Sequence, residues 1–291
     1  MKVWVAGEAL IDLVPSGDLM EPSVLPIVGG GPANTAKALA KLGISTCFIG
    51  GISNDTYGLS IQAELSDVDL GLSLRSELPT ALAIVSLDER GSATYEFKLE
   101  GSATFDFSRD WLPNSAPEVL YLGTLATVIE PGASELFEWA SGLGAPIIYD
   151  PNVRPSVLGD RDEYRKKVLT WASIAKVVKL SEEDLNWLGF PNPSIFLEMG
   201  VKLVVLTKGE KGLSGFTNSL VVDVPGVSVK VVDTVGAGDT VGAVIVEGVA
   251  NFGLEEMLEK RLEYVLNRAA RAASITCSRS GANPPSAEEL N

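Results

Sequence analysis

The chain alternates short apolar runs with amphipathic, helix-like stretches. KVWVAGEAL (2–10), STCFIGGIS (45–53), VLYLG (119–123), APIIYD (145–150), AKVVKLS (175–181), KLVVLTKG (202–209) and VKVVDTVG (229–236) read as strands. Near-continuous apolar runs of this length predict strands covered on both faces. Between them lie helical patterns. PANTAKALAKLG (32–43) has Pro32 at its start and Gly43 as its stop, EPGASELFEWASGLG (130–144) follows VLYLG, and EEDLNWLG (182–189) opens on acidic residues. From about Asp239 to about Ser278 the pattern is mostly helical. Strand–helix alternation implies an α/β fold, a mostly parallel sheet with helices on its faces.

One region breaks the alternation. TALAIVSLDERGSATYEFKLEG (80–101) reads as two runs around a turn at Asp88–Gly91. Within it Tyr95, Phe97 and Leu99 alternate with Glu96, Lys98 and Glu100. A period of two with one polar face marks antiparallel, half-solvated strands. Periodicity fits a lid over a site and an edge hairpin equally.

Composition narrows the chemistry. The 291 residues, 46% hydrophobic and 21% charged, are enough for a large soluble core. No repeat or Pro/Ser-rich linker divides them. The formal charge of −15 argues against a surface that coats nucleic acid, yet a nucleotide can still be held by backbone N–H groups. There is no histidine, which removes His-based nucleophile pairs, histidine bases and His-containing metal sites. Proton transfer then falls to Asp, Glu, Lys, Tyr or Cys. Cys47 and Cys277 lie far apart in apolar runs, which suits free thiols in a reducing compartment. The first apolar run is interrupted by Glu8 and Asp12, and no run has the length of a membrane span. A cytoplasmic location is expected.

Two glycine-rich turns carry the candidate chemistry. DTVGAGDTVGA (233–243) places Gly236, Ala237 and Gly238 ahead of a helix, where converging N–H groups and the helix dipole favour an anion. It is neither GxxxxGK[ST] nor GxGxxG. Tight strand–helix packing, with Asp239 as an ordinary N-cap, fits the same residues. IVGGGPANTAKALAKLG (27–43) sets Gly29–Gly31 before a helix opened by Pro32, with Asn34 in its first turn. Glycine there lets a ligand approach the backbone, and a flexible turn would look the same.

Together, GGGPANTAKALAKLG near the N-terminus and DTVGAGDT near the C-terminus resemble, in order and separation, the two signatures of the ribokinase-like (phosphofructokinase B-type) carbohydrate kinases. GEALIDLV, GGISNDTYG, VVKLSEEDL, VVLTKGEKG and SRSGANP agree along the rest of the chain. GEALIDL, YEFKLEGSATF and DPNVRP look most like the fructokinase branch.

The resemblance implies one doubly wound α/β kinase domain over 1–291, with a small antiparallel β lid contributed from about 13–28 and 79–101. It implies ATP and a small sugar as substrates, Mg²⁺ as cofactor and K⁺ as a further ion. Asp239 is then the general base and Gly236, Ala237 and Gly238 the anion hole. Asp12, Gly30, Gly31 and Asn34 hold sugar hydroxyls, and Phe97 lies on the sugar side. Arg154 in DPNVRP faces the sugar or the phosphoryl group, or is a surface arginine after a turn. Thr207, Gly209, Gly212 and Asn267 fall on the nucleotide side, with Lys179 and Ser181. Ser181 and Asp184 stand where the family has an Asn-x-x-Glu motif, so Asp184 is expected to reach Mg²⁺ through water. Asp233 and the SRSGA loop would flank the monovalent cation. The Tyr95/Phe97/Leu99 face offers a lid-mediated dimer surface or internal packing. Other small polyols as acceptors (ribose, 2-keto-3-deoxygluconate, a nucleoside), or a catalytically silent relative, stay open at this stage.

Overall fold

The apolar runs become strands because both of their faces find cover. The structure, a computed structural model, describes residues 3–16, 23–87 and 93–291. The first half contains β1 (Val3–Ala6), β2 (Leu10–Ser16), β3 (Ser23–Gly29), α1 (Gly31–Lys41), β4 (Thr46–Ile49), β5 (Gly51–Ser53) and α2 (Thr56–Glu64). Then come β6 (Leu74–Ser76), β7 (Leu82–Leu87), β8 (Ala93–Lys98), β9 (Val119–Gly123), α3 (Gly132–Ser141) and β10 (Ile147–Asp150). The second half adds α4 (Arg161–Ala172), β11 (Val177–Ser181), α5 (Glu182–Trp187), α6 (Ser194–Glu198), β12 (Leu203–Thr207), β13 (Leu213–Phe216) and β14 (Val221–Val224). It closes on α7 (Ala237–Phe252), the one-turn α8 (Leu254–Glu256), α9 (Leu262–Cys277) and the short α10 (Ala287–Leu290).

The main sheet has eight strands in the order β14-β13-β12-β11-β10-β9-β1-β4. It is parallel from β4 to β12, and β13 and β14 continue it as antiparallel edge strands. Alternate residues feed two cores. Val3, Val5, Val119 and Tyr121 point to one face and pack with α1, α7 and α9. Trp4, Ala6, Leu120 and Leu122 point to the other, against α3 and α4. With strands sandwiched this way, a buried leucine or valine cut to alanine in either layer costs about 2–5 kcal/mol. After β1 the chain moves outward to β4, then returns to β9 on the other side of β1. That reversal makes the β1/β9 carboxyl ends the crevice where open α/β sheets place ligands.

Four strands form a separate sheet, β3-β2-β7-β8, over these carboxyl ends. β2–β3 and β7–β8 are antiparallel hairpins, and the two join through a parallel β2–β7 pairing, so the lid is mixed rather than wholly antiparallel. Glu96, Lys98 and Glu100 are exposed while Leu99 is buried and Phe97 partly so, as the alternation required. The expected turn at Asp88–Gly91 and the Tyr95 side chain lie outside the described residues.

Two strand expectations need correction. STCFIGGIS is not one strand: it breaks at Gly50, and β5 leaves the main sheet to pair with β6. The 229–233 run is not a strand at all. Val232 and Asp233 instead donate to the Cys277 carbonyl at 2.8 and 3.2 Å, laying the segment along the end of α9. Val229 and Val231 belong to the wall of a cleft rather than to a sheet, and an apolar run looks alike in both settings.

Candidate active site

The carboxyl ends of β1, β9, β10, β11 and β12 open onto two cavities separated by the turn that starts α7. The smaller, about 510 Å³, is bounded by Glu8, Asp12, Gly30, Gly31, Asn34, Phe97, Thr124, Asn152, Arg154, Gly236, Gly238 and Asp239, among others. The larger, about 740 Å³, is a cleft bounded by Thr207, Gly209, Gly212, Gly226, Val227, Val231, Ala237, Gly238, Ala273, Ser274 and Cys277, among others. Thr234 and Gly238 border both. The turn is thus a shared wall.

That turn is fixed by its sequence. Gly236 caps α7 in a left-handed conformation, φ 77°, and a Cβ there would come within 2.7 Å of Ala282. A helix N-terminus leaves its first N–H groups without intrahelical acceptors. Of the three residues expected to form an anion hole, Ala237 already gives its N–H to the Thr234 carbonyl at 3.3 Å. Asp239 follows in the first helical turn and is buried. Asn34 Nδ2 donates to its Oδ2 at 2.8 Å and the Thr35 hydroxyl reaches its carbonyl at 3.4 Å, which ties α7 to α1. Burial raises the Asp239 pKa to about 6, against the pull of Lys179 and the Asn34 hydrogen bond. Such a carboxyl is ionised at neutral pH and close enough to titration to move a proton.

The smaller cavity gathers charge. Asp12 on β2 is raised to about 6 by burial, opposed by Arg154. Glu8, just past β1, is raised to about 7 by burial, opposed by the Ala126 N–H and by Arg154. Its carboxyl accepts from the Thr124 hydroxyl and from Ala126 N at 3.1 Å. Thr124 and Asn152 both sit at positive φ, 55° and 37°, conformations that non-glycine residues hold only when their surroundings enforce them. A Cβ on Gly31 would meet Thr124 Cγ2 at 2.7 Å, Asn152 Nδ2 at 3.1 Å and Asp239 Oδ1 at 3.2 Å. These four residues therefore meet at one point.

Of the residues singled out in the sequence, Asp12, Gly30, Gly31, Asn34, Phe97, Arg154, Gly236, Gly238 and Asp239 come together around this cavity. Arg154 is exposed and its Nη1 donates to Asn152 O and Oδ1 and to Val153 O, at 3.2, 2.8 and 3.1 Å. Thr207, Gly209 and Gly212 border the cleft with Ala237. Four residues stand apart from both linings. Asn267 is exposed one turn before Ala270, and its amide donates to the Glu263 carbonyl at 2.8 Å. Ser181 and Asp184 form the capping box of α5. Lys179 is buried in an ion pair with Asp150 at 2.8 Å.

Sequence reasoning passed over Glu8, Thr124 and Asn152. Glu8 had a signal, a carboxylate interrupting an apolar strand. The positive φ of Thr124 and Asn152 had none, because nothing local marks a strained threonine.

The metal expectations meet a particular donor set. Asp184 accepts from Val153 N at 2.9 Å, from Ser181 N at 2.9 Å and from Ser181 Oγ at 2.8 Å. Asp233 accepts from Val235 N at 3.0 Å and from Gly281 N at 2.8 Å, so it does bridge to the SRSGA loop. Among the described residues, no three histidine, cysteine, aspartate or glutamate side chains gather as a metal cradle. A divalent ion here fits as one carried on phosphate oxygens and water, not as one caged by protein.

Known proteins resemble this chain along most of its length. A fructokinase from Rhizobium leguminosarum bv. trifolii is 37% identical over 281 residues, covering 92% of this chain and 85% of the relative. The crystal structure of a Xylella fastidiosa fructokinase with bound ATP superposes with a TM-score of 0.87 at 26% identity, covering 99% of this chain and 96% of that one. A Vibrio cholerae O395 fructokinase bound to fructose, ADP and a calcium ion gives 0.83 at 28% identity, covering 97% and 94%. The family model described as "pfkB family carbohydrate kinase" matches residues 2–289, and the chain belongs to that family.

Proposed function

We propose that this chain is an ATP-dependent sugar kinase, a fructokinase, acting as one kinase domain whose lid is built from about 13–28 and 79–101. The observation that carries the reading is the α7 turn, a wall shared by a carboxylate-lined cavity and a glycine-lined cleft. The sugar occupies the smaller cavity, with Asp12, Asn34 and the Gly30–Gly31 backbone on its hydroxyls. Fructokinases of known structure that superpose on this chain bind ATP, or fructose with ADP, and that supports the choice of substrates.

Asp239 takes the proton of the attacking hydroxyl while the N–H groups of Gly236 and Gly238 face the transferring phosphoryl group, the Ala237 N–H being already given to the Thr234 carbonyl. Phosphoryl transfer requires little else from protein than positioning and charge stabilisation. ATP lies in the cleft against Thr207, Gly209 and Gly212. Mg²⁺ travels with its phosphates, and K⁺ sits by Asp233 and the SRSGA loop (278–282).

The setting is cytoplasmic; no helix among the described residues is long and apolar enough to cross a membrane. The acidic chain takes no nucleic-acid partner. A homodimer through the lid would use β3, where Val24, Leu25 and Ile27 are exposed. Phe97 and Leu99 face inward instead. ATP consumption across fructose, ribose, ketodeoxygluconate and adenosine, with the product phosphate located by NMR, tests the function. Fructose should give the highest kcat/KM, and turnover confined to another acceptor would replace the fructokinase reading.

A further inference from the structure

Lys179 is the one lysine or arginine buried among the described residues. It stands in the middle of β11, and its ammonium pairs with Asp150 of β10 at 2.8 Å. Asp150 Oδ2 also accepts from the Tyr121 hydroxyl of β9 at 3.1 Å, while its buried Oδ1 has no partner. A buried pair of this kind is weak evidence for stability, because desolvating two charges offsets most of their attraction. Its position says more. A Cβ on Gly238 would come within 3.0 Å of Lys179 Nζ. The ammonium therefore lies against the α7 turn, buried and outside the linings of both cavities.

We infer that Lys179 is a positioning residue for phosphoryl transfer: tethered by Asp150, its ammonium is the fixed positive charge behind the Gly236–Ala237–Gly238 turn. It balances Asp239 in front of the turn and the phosphoryl group that arrives there. The inference rests on the kinase reading and moves Lys179 from the nucleotide side to the turn. Without it, the charges acting on this point would be Asp150, Asp184 and Asp239, with Arg154 the remaining cation that acts on Asp239, and Arg154 is exposed and held by its own loop. A phosphate-binding turn surrounded by carboxylates needs a counter-charge within the protein, where screening is weakest. The glycine at 238 follows as well, since any side chain would displace the ammonium.

The charges on Asp239 separate this role from a structural one. Lys179 lowers its pKa and Asp150 raises it, with Lys179 the larger of the two. In the double variant Asp150→Asn/Lys179→Met, no charge is left unpaired. A structural pair would then be replaced without consequence for turnover. Here kcat should fall on the order of 10- to 100-fold, below the 10²–10³ of losing a direct donor. The acid limb of kcat/KM should move to higher pH, and the KM for ATP should change less than about 3-fold. In Asp150→Asn alone the lysine remains and the amide oxygen can still accept from it, so kcat should fall less than in the double variant, and the acid limb should move to lower pH. Carboxyl-carbon NMR of Asp239, assigned with Asp239→Asn, reads the same ionisation without turnover. It tests Lys179 even in a protein that phosphorylates none of the sugars, a result that would sink only the parent reading. An Asp239 titration unmoved in both variants overturns the inference, as does a folded double variant with wild-type kcat.

Discussion

On the sugar side of the α7 turn, Glu8, Asp12, Asp239 and Arg154 border the cavity, and three of these are carboxyls shifted by burial. On the nucleotide side the cleft is bordered by glycines, valines and small residues, with Glu210 and Lys211 its only charged members. One side is built from ionisable side chains held in place, the other from backbone and apolar surface. Under the proposed kinase function, the first would discriminate hydroxyls and move a proton. The second would grip phosphates and a flat base, which backbone N–H groups and valine side chains do without titrating. Substitutions should therefore act differently on the two sides.

The largest effect is expected at the wall itself. Asp239→Asn keeps the Asn34 contact but removes the proton acceptor, so kcat should fall by roughly 10²–10⁴, the usual worth of a general base. Affinity for ADP, measured by calorimetry, should stay unchanged. In the wild-type enzyme kcat/KM should rise with pH through about 6 as Asp239 ionises. Wild-type turnover in the variant would remove Asp239 from the chemistry.

Glu8 tests the sugar side through stability. Its pKa is raised from 4.5 to about 7 in the fold. A carboxyl with a raised folded pKa contributes stability that is fully present below its unfolded pKa and lost as pH rises through the folded one. The wild-type protein should therefore lose up to roughly 3 kcal/mol from this residue between about pH 4.5 and 7. Glu8→Gln, neutral throughout, should flatten that interval in urea melts at stepped pH. Parallel curves for the two proteins would show that Glu8 ionises as freely folded as unfolded.

Gly31 marks where the two sides stop sharing consequences. An alanine there meets Thr124 and Asn152, both held at positive φ, and Asp239. Overpacking of this kind costs about 1–3 kcal/mol, and the strained pair has little room to give. The KM for sugar should rise roughly 5- to 100-fold, with the KM for ATP unmoved. An equal rise in both would mean that the clash spreads through α1 into the turn.

The contrast also sets what could be read from the sequence. The main strands were legible because burial on both faces leaves continuous apolar runs, and Pro32 and Gly43 punctuated α1. Asp239 and the glycines around it were legible because glycine before a helix has a backbone meaning. What escaped reading depends on tertiary placement. The 229–233 run looked like a strand because an apolar cleft wall and an apolar strand share a pattern. Glu8 was visible as an oddity, yet its partner Thr124 lies 116 residues away in sequence. Lys179 looked like part of a nucleotide motif, and only the β10–β11 pairing turns it toward Asp150.

The smallest effect is expected on the nucleotide side, and it separates backbone recognition from side-chain recognition. The sequence resemblance gave Asn267 to the nucleotide, but its amide is spent on the Glu263 carbonyl one turn back along α9, and the side chain is exposed. Asn267→Ala should leave kcat and the KM for ATP within about 2-fold, as for surface substitutions generally. Gly212 is the contrasting position, at φ 97° with a would-be Cβ 2.1 Å from the Val224 carbonyl. Gly212→Ala must move the Thr207–Gly212 loop that borders the cleft, and should raise the KM for ATP with that for sugar unchanged. If Asn267→Ala instead weakened ATP binding and Gly212→Ala did not, the nucleotide would be held by side chains reaching over the cleft. The two sides of the wall would then be built alike.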